Sequence, residues 1–89
     1  MSKGSTAMNI CVIGTGYVGL VVGTCLSEMG NTVICIDNDE KKLEKLKNGI
    51  VPIFEPALEE MIKSNVAENR LSFSKDLKSA VETSTICFI

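Results

Sequence analysis

The chain has 89 residues, of which 45% are hydrophobic and 22% charged, with a net charge of −2; this balance belongs to an ordinary globular protein and excludes the disordered and collagen-like classes. A chain of this size buries only about 60–65% of its unfolded surface, so it forms one small domain or part of a larger one. The scattered lysines offer no basic footprint for nucleic acid, no apolar run reaches the roughly 20 residues of a membrane span, and the apolar run behind Lys3 lacks the small-residue cleavage pattern of a secretory signal.

In chain order, "MSKGSTA" (residues 1–7) is small and polar and reads as a flexible extension or cloning remnant, outside a folded unit spanning 8–89. "MNICVI", Met8 to Ile13, is a β-branched-rich apolar run ending at a glycine turn, the signature of a strand buried on both faces. From Tyr17 to Met29, Val18, Val21, Val22, Cys25, Leu26 and Met29 recur at spacings of three and four, which predicts a helix, and Gly30 stands where it should stop. "NTVICID", Asn31 to Asp37, repeats the buried-strand composition. "DEKKLEKLKNG", Asp39 to Gly49, is a second helix with an acidic start and a lysine-rich end, as the helix dipole favours.

"IVPIFEP", Ile50 to Pro56, is a loop with two prolines, the second placed for the first turn of a helix from Ala57 to about Asn65. "RLSFS", Arg70 to Ser74, reads as a third strand, Asp76 to Thr83 as a short helix, and "STICFI", Ser84 to Ile89, as a fourth strand. The order β-α-β-α-α-β-α-β predicts right-handed crossovers and a parallel sheet covered on both faces. The fold class is therefore α/β, a doubly wound Rossmann-type sheet. It is expected to be partial, because the chain breaks off on an apolar fourth strand that leaves a sheet edge open.

Cys11, Cys25, Cys35 and Cys87 include no C-x-x-C pair, and the chain has no histidine, so a zinc site is not expected. All four have apolar neighbours and read as small buried hydrophobes in a reducing cytosol.

Gly14, Gly16 and Gly19 carry the spacing G-x-G-x-x-G between a predicted strand and a predicted helix. In a dinucleotide-binding unit the first glycine permits the turn, the second lets backbone approach the pyrophosphate, and the third lets helix and strand pack closely, with the helix amides meeting the phosphate charge. The triplet alone is a weak signal. Asp37 strengthens it by ending the second strand where an acidic side chain receives the adenosine ribose hydroxyls, although Asp37 or Asp39 also suits the role of helix cap. A 2′-phosphate beside Asp37 would meet like charge with no arginine following to offset it, so NAD is expected over NADP. Gly23 reads as relief of packing against the sheet.

The stretch "MNICVIGTGYVGLVVGTCLSEMGNTVICIDNDEKKLEKLKNGIVPIFEPALEEMI" closely resembles the amino-terminal segment of the UDP-glucose dehydrogenase family, through G-x-G-Y-V-G, "DNDEKK" and "NGIVPIFEP". Dehydrogenases acting on GDP-mannose or UDP-N-acetylmannosamine share these features. The resemblance spans Met8 to Ile89. It implies that Gly14, Thr15, Gly16, Tyr17, Val18 and Gly19 wrap the NAD pyrophosphate, Tyr17 and Val18 through their backbone amides or, for Tyr17, by ring packing. It implies that Asp37 binds the adenosine ribose and that Lys42 contacts the same region, whereas its place on a charged helix makes Lys42 a solvated lysine. Glu55 falls in a segment usually read E-P-G-L, here with Ala57 in place of glycine; it is either an active-site neighbour or a surface glutamate at a helix start.

The family's reaction is a double oxidation of a nucleotide-sugar alcohol to the acid, through a catalytic cysteine in a later domain. By this resemblance the intact protein is a cytoplasmic, homo-oligomeric oxidoreductase acting on UDP-glucose with two NAD, and the present segment holds cofactor-binding elements, no catalytic residue and no metal. Alone it is expected to be inactive, since nothing in it orients a hydride donor. Other readings are a stand-alone nucleotide-binding regulatory module and a different Rossmann dehydrogenase.

Overall fold

A computed structural model describes residues 8–14, 16–51 and 55–88; the expected extension at 1–7, the calls on Thr15 and Ile89, and part of the proline loop lie outside them. The elements are β1 (Asn9–Ile13), α1 (Tyr17–Glu28), β2 (Thr32–Ile36), α2 (Glu40–Lys47), α3 (Pro56–Ala67), β3 (Leu71–Ser74), α4 (Leu77–Thr83) and β4 (Ile86–Phe88). This is the order predicted, with α3 beginning at Pro56 and running to Ala67 rather than Asn65. Proline at the first helical position loses nothing, because an amide there has no intrahelical acceptor.

The four strands are parallel in the order β3-β2-β1-β4, the first four strands of a doubly wound sheet. β1 pairs with β2 from Asn9↔Thr32 to Ile13↔Ile36 and with β4 from Ile10↔Ile86 to Val12↔Phe88. After β3 the chain must cross the whole sheet, through α4, to lay β4 on the far side of β1. The strand order therefore reverses between β1 and β4.

Strand alternation divides the core. On one face Ile10, Val12, Val33, Cys35, Leu71 and Phe73 meet Leu20, Leu43, Leu46, Leu58 and Ile62 from α1, α2 and α3. On the other, Cys11 and Ile36 pack with Ala80 of α4, flanked by Ile13 and Ile34. The expectation of cover on both faces holds only in part: α4 is short, Ser72 is exposed, and every residue of β4 is exposed.

The apolar spacing that predicts α1 matches the face it buries only in part, with Val21 and Leu26 packed against the core. Leu20, Gly23, Thr24 and Ser27 face the core, while Val18 and Met29 are 71% and 77% exposed. The buried hydroxyls bond within the helix, Thr24 Oγ1 to the Leu20 carbonyl at 2.7 Å and Ser27 Oγ to the Gly23 carbonyl at 2.9 Å. Satisfied in this way, they pack as small apolar groups and let the helix lie close to the sheet. At Gly23 a β-carbon would stand 2.8 Å from Cys35 Sγ, so that glycine does relieve packing, as expected.

Candidate functional site

β1 is followed directly by Gly14, whose φ of +96° an L side chain rarely adopts. Its amide donates to the Ile36 carbonyl at 2.6 Å, fixing the start of the loop against β2. Gly16 caps α1 in extended backbone, with no side-chain hydrogen bond to the cap and no acidic residue in the first turn. The positive end of the helix dipole is thus not offset locally, and the first-turn amides of Tyr17, Val18 and Gly19 are those that helix geometry leaves without intrahelical acceptors.

The three glycines differ in what surrounds them. A β-carbon added at Gly14 or Gly16 would meet nothing within 4 Å, whereas at Gly19 it would stand 2.5 Å from the Gly14 carbonyl oxygen. Gly19 is bare so that helix and strand can touch. Gly16 is bare beside open space, which is where a ligand approaching the backbone would lie.

That space is a crevice of about 540 Å³ at the carboxyl ends of β1 and β4, lined by Val12, Ile13, Gly14, Gly16, Tyr17, Val18, Gly19, Val22 and Phe88. It lies at the reversal of strand order, where open α/β sheets bind their ligands. Of the predicted pyrophosphate residues the crevice gathers Gly14, Gly16, Tyr17, Val18 and Gly19; Thr15 lies outside the described residues. Phe88, Val22, Val12 and Ile13 were missed. Only the strand order could have flagged Phe88, since nothing in its own neighbourhood points to Gly14.

Asp37 and Lys42 are brought together, but beside the crevice rather than in its lining. Asp37 directly follows β2, and its amide donates to the Ser74 carbonyl at 3.1 Å. Its Oδ1 accepts from the Asp39 amide at 2.9 Å, and its Oδ2 stands 3.4 Å from Lys42 Nζ. The Asp37 side chain is only 16% exposed. The helix cap is Asp39, which accepts from the Lys41 and Lys42 amides. The like-charge argument against a 2′-phosphate needs one amendment: no arginine follows Asp37, but Lys42 reaches its carboxylate.

Glu55 is exposed and caps α3 by accepting from the Ala57 amide at 3.3 Å, the surface role of its two readings. The cysteines divide. Cys11 and Cys35 are buried, but Cys25 and Cys87 are exposed, against the expectation that all four are core residues. Cys25 sits on the solvent face of α1 and Cys87 on β4, which nothing among the described residues covers. Burial, with a smaller contribution from a hydrogen bond to Cys87, pushes the Cys11 thiol up to about 11. Burial pushes Cys35 up to about 12. Both stay protonated at neutral pH and neither is a nucleophile. No helix among the described residues is long and apolar enough to cross a membrane.

A sequence profile described as "UDP-glucose/GDP-mannose dehydrogenase family, NAD binding domain" matches residues 8–89. The chain is 54% identical over 80 residues to the UDP-glucose 6-dehydrogenase TuaD of Bacillus subtilis, covering 90% of this chain and 17% of that protein. It is 52% identical over 82 residues to the UDP-glucose 6-dehydrogenase of Rhizobium meliloti, covering 92% and 19%. Among solved structures it superposes on a UDP-glucose dehydrogenase from the archaeon Pyrobaculum islandicum with a TM-score of 0.90 and 32% identity, covering 100% of this chain and 21% of that one. A GDP-mannose dehydrogenase from Pseudomonas aeruginosa gives 0.87 and 40%, covering 92% and 19%. The chain spans about a fifth of the length of these proteins.

Proposed function

The chain belongs to the UDP-glucose/GDP-mannose dehydrogenase family, and from that premise we propose that residues 8–89 are the amino-terminal part of the dinucleotide-binding unit of an enzyme that oxidises UDP-glucose to UDP-glucuronate. The matched part of the family is its NAD binding domain, and the cofactor is NAD. Bound NAD supplies the hydride acceptor.

The observation that carries the assignment of residues is the contrast between Gly19, closed against Gly14, and Gly16, open to the crevice. Gly14, Thr15, Gly16, Tyr17, Val18 and Gly19 hold the pyrophosphate, with the amides of the first turn of α1 as donors. Asp37 accepts hydrogen bonds from the adenosine ribose hydroxyls. Lys42 holds that carboxylate in place and touches the same ribose. Apart from Tyr17, the described lining of the crevice is apolar side chains and bare backbone, and we assign the chemistry to groups outside residues 8–89.

UDP-glucose as substrate is supported by the names of the most similar relatives, and the kinship with a GDP-mannose enzyme makes the sugar nucleotide the first thing to assay. The free thiols among the described residues fit a reducing cytoplasm, and the intact protein is expected to be a homo-oligomer. The test is calorimetric titration of the intact protein with NAD and NADP. Asp37→Ala is expected to weaken NAD by about 10- to 100-fold, the worth of about 1.4–2.8 kcal/mol, with helical content unchanged. Equal NAD affinity in parent and variant, or tighter binding of NADP by the parent, would remove Asp37 from the site.

A further inference from the structure

Two lysines stand near the carboxyl ends of β2 and β3, and each is held by a carboxylate. Lys42 Nζ lies 3.4 Å from Asp37 Oδ2, and Lys75 Nζ lies 3.2 Å from Glu40 Oε1. The Asp37 amide donates to the Ser74 carbonyl at 3.1 Å, which brings the turn that carries Lys75 beside Asp37. The two pairs differ in burial. The side chains of Lys42 and Asp37 are 35% and 16% exposed, those of Lys75 and Glu40 61% and 75%. A pair as open as the second is worth little. Lys42 is fixed at both ends, its amide on Asp39 Oδ1 at 3.2 Å and its ammonium on Asp37.

We infer that Lys42 is a cofactor-specificity residue: its ammonium is an anion site for the 2′-phosphate of NADP that Asp37 neutralises, so a single carboxylate holds the site to NAD. The inference rests on the assignment of Asp37 to the adenosine ribose. NAD and NADP differ only at the ribose 2′-position, and a dinucleotide site accepts the phosphate through a cation near the place of the acid. Here that cation is already present. Asp37 both repels the phosphate and occupies the ammonium that would receive it.

Asp37→Asn removes the charge and keeps the shape. The retained side-chain oxygen still accepts from the Asp39 amide, as Oδ1 does at 2.9 Å. The new NH2 group is a donor and cannot accept from Lys42. The ammonium is thereby released to a phosphate, and the new amide donates to the same group. The neighbouring acids have their own partners: Asp39 accepts from the Lys41 and Lys42 amides, and Glu40 is paired with Lys75.

The experiment is calorimetric titration of the intact protein and its variants with NAD and NADP, with thermal melts to confirm that each folds. Asp37→Asn is expected to bind NADP about 10- to 100-fold more tightly than the parent does, the worth of a charge-assisted hydrogen bond, with no improvement for NAD. Adding Lys42→Gln should abolish that gain. Adding Lys75→Gln instead should preserve it, which separates Lys42 from a general rise in positive charge. Asp37→Ser, also uncharged, reads the same effect if Asp37→Asn does not fold. Unchanged NADP affinity in the uncharged variants overturns the proposal, as does a gain that survives Lys42→Gln. Either result beside a parent that binds NAD sinks this inference alone, whereas a parent that binds no NAD removes the nucleotide assignment with it.

Discussion

Gly16 and Gly19 sit three positions apart and answer to different constraints. Gly16 has φ −66° and ψ 177°, a conformation any residue adopts, and faces open space. Gly16→Ala should therefore fold with its thermal midpoint within a few degrees of the parent's while losing NAD affinity at least tenfold, because the new methyl occupies the ligand's approach. Gly19→Ala drives a β-carbon against the Gly14 carbonyl and should lose stability by about 1–3 kcal/mol, as overpacked sites do, along with NAD binding. Paired thermal melts and titrations check both, and identical behaviour of the two variants would contradict the division of roles. The spacing G-x-G-x-x-G made the close packing at Gly19 legible from sequence, since it follows from a missing side chain at a fixed offset. Phe88 was not legible, because its place in the crevice depends on strand order.

Among the elements, α2 shows how local chemistry fixes a candidate site residue. Asp39 caps the helix and its amide donates to Asp37 Oδ1, so one turn of backbone orients the carboxylate and presents Lys42 to it. Asp39→Ala is expected to cost about 1 kcal/mol, the usual worth of a helix cap, and to weaken NAD binding as well; a urea titration beside a binding isotherm reads both. Element types and order followed from periodicity and punctuation because glycine, proline and acidic caps fall at the boundaries. The buried face of α1 did not, since Thr24 and Ser27 count as polar in any pattern and become core residues only by bonding carbonyls of their own helix. Conversely, the stripe Val18, Val22, Cys25 and Met29 is apolar and faces outward, with Val22 half-buried. A period reveals a helix without saying which side faces the sheet.

For the molecule as a whole, the buried thiols set its behaviour in alkali. Free thiols near 9.0 become Cys11 near 11 and Cys35 near 12 on folding, so the native state holds protons that the unfolded chain releases. That contribution is complete below pH 9, declines above it by up to about 1.4 kcal/mol per pH unit for each thiol, and is gone above about pH 12. Urea midpoints measured between pH 8 and 11 should fall, and Cys35→Ala should fall less steeply. A flat profile would mean these thiols are not shielded as the core implies. The other whole-molecule property is the path of the chain, which leaves β3 at one margin of the sheet and lays β4 at the other. One wall of the crevice, Phe88, is consequently delivered by a strand that reaches β1 only after the chain has crossed the sheet, and a crevice built this way exists only after that long connection has closed. Cofactor present during renaturation should act as a latch, slowing amide exchange in β4 more than in β2, so occupancy doubles as a report that β4 has docked beside β1.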